Sequence, residues 1–249
     1  SSLQLIEKIL DDPNFIDRYL AKKYAKTYVE IFPNDDATQF LNLKINLNKH
    51  NFSWYLVLIN FYKLQNKFDE IIQLCENNAF LLNESIFLVE IAQSYELQNK
   101  FDESVKYCTE ALEKNPDNFW ALFSRGQNYV DLKQYDLALE DFKTGFNKSQ
   151  RVHFQESYAY VLDLLGNYEL AISILSKYKN SNRRLNVLKV LGLIYRNNRK
   201  YDESLDCYLQ ILQENENDSN GLVGCALVYD SQNKFDLALK NIEKSLERN

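Results

Sequence analysis

A chain of 249 residues, 45% hydrophobic and 26% charged, has ample apolar surface for burial, and its 6 Gly and 3 Pro are too few for the tight turns of a strand-rich fold. The net charge of −6 argues against a nucleic-acid surface, which must neutralise phosphates, and no apolar run approaches the length of a membrane span. Cys75, Cys108, Cys207 and Cys225 form no Cys-x-x-Cys pair and read as reduced thiols of a cytoplasmic or nuclear protein.

The chain opens Ser-Ser and holds no Met, which reads as an excised fragment or a processed chain. Ser2–Asp11 reads as a short helix stopped by Asp12-Pro13. Asn14–Phe32 is a longer helical pattern, with Phe15, Tyr19, Leu20, Tyr24, Tyr28 and Ile31 as its apolar positions and Pro33 as its end. Its basic stripe, Arg18, Lys22 and Lys26 at i, i+4 and i+8, is either a solvated face or a dock for an acidic segment. Asp36–Asn48 is a third helix. The last two helices can be read as a divergent first repeat within residues 1–51, in register 34 residues before the unit that starts at residue 52.

From residue 52 the sequence is periodic. The word Leu-Gln-Asn-Lys-Phe-Asp-Glu stands at Leu64–Glu70 and again at Leu97–Glu103. Its aromatic recurs as Phe68, Phe101, Tyr135, Tyr168, Tyr201 and Phe235, at intervals of 33 or 34 residues, which marks a helical solenoid. Six residues earlier stands Tyr in five of the six units, with Leu162 as the exception. Two residues earlier stands Asn66, Asn99, Lys133, Gly166, Arg199 or Asn233. Asn and Gly suit the left-handed residue that ends a helix, so the turns at Lys133 and Arg199 are expected to close differently. Acidic residues follow the aromatic, where they complement the dipole of a second helix. Small residues face each other within five of the hairpins, as in Gly192 with Ser204; the exception, Ile59 with Ile71, predicts one splayed hairpin.

This pattern resembles the tetratricopeptide repeat family. The clearest stretch is Phe119–Phe146, with Gly126, Tyr129, Tyr135, Ala138 and Phe142 at signature places, and Ala111 and Pro116 fit late positions of the preceding unit. Gln155 and Arg125 stand where the family has apolar residues. The resemblance divides the chain into six repeats, 52–84, 85–118, 119–151, 152–184, 185–218 and 219–249. It implies an all-α fold, a right-handed α-α superhelix built as a solenoid of helix hairpins. The first helices then line a concave wall that, in the family, holds extended peptides or partner helices.

On that register the peptide-groove candidates are Leu56, Asn60, Ile86, Val89, Gln93, Trp120, Phe123 and Gln127. The amides of Asn60, Gln93 and Gln127 suit an extended backbone, and Trp120 and Phe123 suit apolar anchors. Heat-shock chaperone clamps of the family use Lys and Asn where this chain has Leu56 and Glu90, and Glu90 is expected to repel a terminal carboxylate. No phosphate loop, zinc motif or nucleophile elbow occurs, and His50 and His153 stand alone, so no catalytic, cofactor or metal residue is assigned. Glu156 beside His153 reads as an ordinary helix neighbour rather than a proton-transfer pair. RNA recognition by helical repeats is disfavoured by the acidity. The expected function is a non-catalytic adaptor or scaffold for a protein partner. Two other readings remain open: a receptor for a short targeting peptide, and a regulatory repeat segment of a larger enzyme. The end at Ile242 and Leu246 is expected to meet a further domain or another chain.

Overall fold

The structure, a computed structural model, describes residues 2–12, 16–31, 34–149, 152–181 and 183–247. Residues 2, 3, 29, 31, 34–36, 152 and 153 are described by backbone alone. Pro13, Phe15, Pro33 and the His153 side chain therefore lie outside the described residues.

All the regular elements among the described residues are helical. The N-terminal region forms α1 (Ser2–Leu10), α2 (Arg18–Ile31) and α3 (Asn34–Leu47). There follow six pairs: α4 (Phe52–Leu64) with α5 (Phe68–Glu76), α6 (Ser85–Leu97) with α7 (Phe101–Lys114), and α8 (Phe119–Asp131) with α9 (Tyr135–Ser149). The last three are α10 (Val152–Leu164) with α11 (Tyr168–Ser176), α12 (Arg184–Asn197) with α13 (Tyr201–Glu214), and α14 (Ser219–Ser231) with α15 (Phe235–Leu246). The recurring aromatic is in every case the first residue of the second helix. The α2 start is later than the apolar pattern indicates because Asp17 caps it, its Oδ1 accepting the Leu20 amide at 2.9 Å.

One turn joins all six pairs. In the first, the Lys67 amide bonds the Tyr62 carbonyl at 3.0 Å and the Asn66 amide bonds Lys63 at 3.1 Å, with Asn66 at φ 57°. This is the Schellman closure, and the recurrent Tyr supplies its carbonyl. The expectation for Lys133 and Arg199 is corrected: they adopt φ 60° and 59° and make the same paired bonds as the Asn turns. Packing of the two helices overrides the local preference of the residue between them.

The chain divides into two compact units, Ser1–Ser124 and Arg125–Asn249, the division falling within α8. In the first unit α4 is the central helix. α2 lies along it, α3 and α5 also touch it, and α6 reaches it through side chains, Gln93 and Glu90 on Lys63 and Phe87 on Phe52, so Ser53–Ile59 are buried without a break. α5 approaches α4 much less closely than α11, equally short, approaches α10. The bulk of Ile59 and Ile71, both wholly buried, accounts for the difference. α1 is fastened by the Trp54 indole N–H donating to Asp11 at 3.0 Å and by Lys44 reaching Glu7 at 2.8 Å.

In the second unit the small positions carry the close approaches. Ser204 Oγ donates to the Gly192 carbonyl at 2.6 Å, and a Cβ on Gly192 would lie 2.7 Å from the Tyr208 ring. Arg125, at a normally apolar place, is satisfied by a two-pronged bond to buried Asp141, at 2.8 and 2.7 Å. α15 has no buried residue, and Phe235, Leu237, Leu239 and Leu246 are exposed on it.

Candidate functional site

A groove of about 840 Å³ opens in the first unit between the N-terminal half of α2, the end of α4, the middle of α6, and Trp120 at the start of α8. Its electrostatic centre is Glu90. This carboxylate is buried on α6, where the hairpin register leaves it facing α4, and it pairs with Lys63 of α4 and with Arg18 of α2, 72 residues away. Burial pushes the Glu90 carboxyl up, but the charges of Lys63 and Arg18 outweigh it and hold the group below the ordinary carboxylate range. Asp141 in the second unit is the contrast: burial raises its carboxyl, and the single Arg125 does not reverse the shift.

Arg18 also lies over the Trp120 ring, its guanidinium carbon 5.5 Å from the ring centroid. Trp120 itself is 53% exposed, so one face is held by Arg18 and much of the rest is open. Lys63 donates to Gln93 Oε1 at 2.9 Å, and Asn60 Nδ2 donates to its own helix at the Leu56 carbonyl at 2.7 Å. The opposite ends of these amides, Gln93 Nε2 and Asn60 Oδ1, have no protein partner among the described residues. Lys22 and Lys26 of α2 line the groove and are exposed.

Residues assigned separately from the sequence thus meet at one place: the basic stripe Arg18, Lys22 and Lys26 lines the same groove as Asn60, Gln93 and Trp120. Others do not line it. Leu56 and Val89 have no exposed surface: α2 lies along α4 and closes that part of the wall over Leu56, and Val89 is packed with Ala111 of α7 and Ala121 of α8. They are core residues and offer no direct contact. Ile86 is half-buried against the first-unit core, Phe123 is half-buried outside the groove, and Gln127 belongs to the second unit, where it donates to Ser157 Oγ at 3.2 Å. The repulsion expected of Glu90 does not hold, since two cations neutralise it.

Sequence reasoning missed Ile16, Tyr19, Lys63 and Leu64 as lining residues. Leu64 follows Asn60 by four residues and was legible as the next position on that face. Tyr19, assigned to the buried side of its helix, is 73% exposed and faces the groove. No three metal-ligating side chains come together among the described residues, and none of their helices is long and apolar enough to cross a membrane. The four cysteines are buried and free; burial pushes Cys75 up to about 12 and Cys207 and Cys225 up to about 11.

Two segments, residues 86–118 and 187–221, match models of the tetratricopeptide repeat. The chain carries tetratricopeptide repeats. Similar solved structures include a tetratricopeptide repeat protein from Parabacteroides merdae ATCC 43184, at TM-score 0.73 and 18% identity over 92% of this chain and 91% of that one. Another is the APC/C hetero-tetramer Cut9-Hcn1, at TM-score 0.68 and 19% identity, covering 98% of this chain and 49% of the other. This chain therefore spans about half the length of that relative. TTC0263, a tetratricopeptide repeat protein of Thermus thermophilus, aligns over 66% of this chain and 91% of its own, at TM-score 0.57 and 21% identity. These likenesses are of fold. No curated protein sequence matches the chain significantly. Tetratricopeptide repeats are in general scaffolds for protein–protein interaction.

Proposed function

We propose that this chain is a non-catalytic adaptor that grips a peptide or helix of a larger assembly in the groove of its first unit. The observation that carries the reading is the combination of exposed Trp120 with amide groups whose outward ends are unpaired. An aromatic anchor supplies affinity, and Gln93 Nε2 and Asn60 Oδ1 supply a donor and an acceptor for a backbone that brings both. Buried, free thiols suit a reducing intracellular compartment. The division into six repeats after a divergent first one remains part of this proposal, with helix starts at 18 and 34 preceding those at 52 and 68 by one repeat length.

Affinity capture from cell extract, read by quantitative mass spectrometry, tests the assignment. The double variant Trp120→Ala/Gln93→Ala should recover groove partners at least about tenfold less well than wild type, a loss in the range of a truncated interface anchor. Equal recovery of every partner removes the groove as the site.

A further inference from the structure

The groove has a charge as well as a shape. Its lining holds four cations, Arg18, Lys22, Lys26 and Lys63, against two carboxylates, Asp17 and Glu90. Both carboxylates are already engaged: Asp17 caps α2, and Glu90 is held by Arg18 and Lys63. Lys22 and Lys26 are left exposed, without an ion pair among the described residues, one turn apart on the α2 face. On a chain of net charge −6 this is a concentrated positive field inside a concave wall, where field lines focus. Around it lie exposed apolar surfaces, Ile16, Tyr19, Leu64 and Trp120. Arg18 lies over one face of the Trp120 ring, a contact that favours one placement of that surface.

We infer that the partner segment received here is acidic: carboxylates about one helical turn apart meet Lys22 and Lys26, while an adjoining apolar side chain lies on Trp120. This rests on the groove being a protein-binding site and adds the chemistry of what it binds. A neutral segment forgoes both lysines, and a basic one faces four cations of which only two are matched. The mixed lining also separates this occupant from a polyanion such as RNA. Two free lysines release few counterions, and Ile16 and Leu64 offer nothing to a phosphate backbone.

The test begins with peptides selected from a random displayed library on the wild-type chain. The selected peptides are then synthesised with their acidic residues intact or changed to amides, and a labelled single-stranded RNA is the parallel probe. Binding is measured to wild type, to Lys22→Glu/Lys26→Glu, to Trp120→Ala, and to Lys240→Glu/Lys244→Glu. The last has the same change in charge on exposed α15 positions. Circular dichroism confirms that each variant is folded.

The expected result is selection of acidic peptides with an aromatic or aliphatic neighbour. Their affinity should fall at least about tenfold on amide replacement or on Lys22→Glu/Lys26→Glu, weaken with salt, and hold for the α15 control. Uncharged peptides that lose binding on Trp120→Ala but ignore the lysine reversals overturn the acidic partner and leave the groove standing. Binding indifferent to Trp120 and to both lysines, or no selectable peptide, overturns both. RNA binding lost on lysine reversal, with no peptide retained, overturns the inference in favour of a nucleic acid.

Discussion

Glu90 shows how one residue's environment is assembled from distant parts of the chain. A buried carboxylate without partners would be too costly to keep ionised; with Lys63 and Arg18 on its two oxygens it is more acidic than a free glutamate. The two sides of this cluster are not equivalent. Lys63 and Arg18 keep 23% and 26% of their side-chain surface exposed, so both can turn to water if Glu90 is lost. Glu90 has no such escape. Glu90→Gln is therefore expected to cost about 2 kcal/mol, and Arg18→Gln/Lys63→Gln about 4 kcal/mol, measured by urea unfolding at neutral pH. The sign of the pH dependence also differs. In wild type the folded carboxyl is the more acidic, so its contribution is complete above the ordinary value of 4.5 and is lost as pH falls through the lowered one. In the double variant burial alone acts, the folded value lies above the unfolded one, and acidification should restore stability. Equal costs, or the same acid limb in both proteins, would show that Glu90 is not held this way.

The inter-helix turn is the element that repeats, and it separates backbone geometry from residue preference. Asn66, Asn99, Lys133, Gly166, Arg199 and Asn233 close the same hydrogen bonds in the same left-handed conformation. Lys and Arg are strained there by their Cβ, and glycine is not. Lys133→Gly and Arg199→Gly are each expected to stabilise the protein by about 1 kcal/mol, after allowance for the extra freedom of the unfolded chain. Gly166→Ala should cost about as much, and the cause would be backbone alone, since an added Cβ meets nothing within 4 Å. Thermal or urea unfolding of the three variants checks this, and destabilisation by either glycine substitution would refute it. Space decides a different set: at Gly224 an added Cβ would sit 2.2 Å from the buried Tyr208 ring, so alanine there fails sterically.

At the scale of the whole molecule, burial is uneven along the array. α4 holds eight buried residues and is packed against α2, α3 and α5, whereas α15 holds no buried residue. In a repeat protein each hairpin is stabilised chiefly by its neighbours, so local opening should follow this gradient. Native-state hydrogen exchange is expected to show α4 amides protected at least about a hundredfold more than those of α15. Uniform protection through both helices would mean that the chain opens only as one cooperative body.

What the sequence determined by itself was local and periodic, apart from the closure of the turns at Lys133 and Arg199. The recurring aromatic located the start of each second helix, the Tyr six residues earlier marked the carbonyl that closes each turn, and paired Ile59 and Ile71 foretold the loosened hairpin. These features are legible because a helix hairpin is specified by neighbours within one repeat, and six repetitions average out the noise of any single position. The candidate groove was legible only in pieces. Asn60, Gln93 and Trp120 came from the register, and Arg18, Lys22 and Lys26 came from a stripe read as a separate feature. Only the tertiary structure joined them, because α2 lies along α4 far more closely than α10 lies to α12 or α12 to α14, a departure that the repeat register does not encode. The same packing buried Leu56, turned Tyr19 outward and brought Arg18 to Glu90 across 72 residues. Contacts at that separation are fixed by which helix faces find each other in space, and local periodicity carries no record of them.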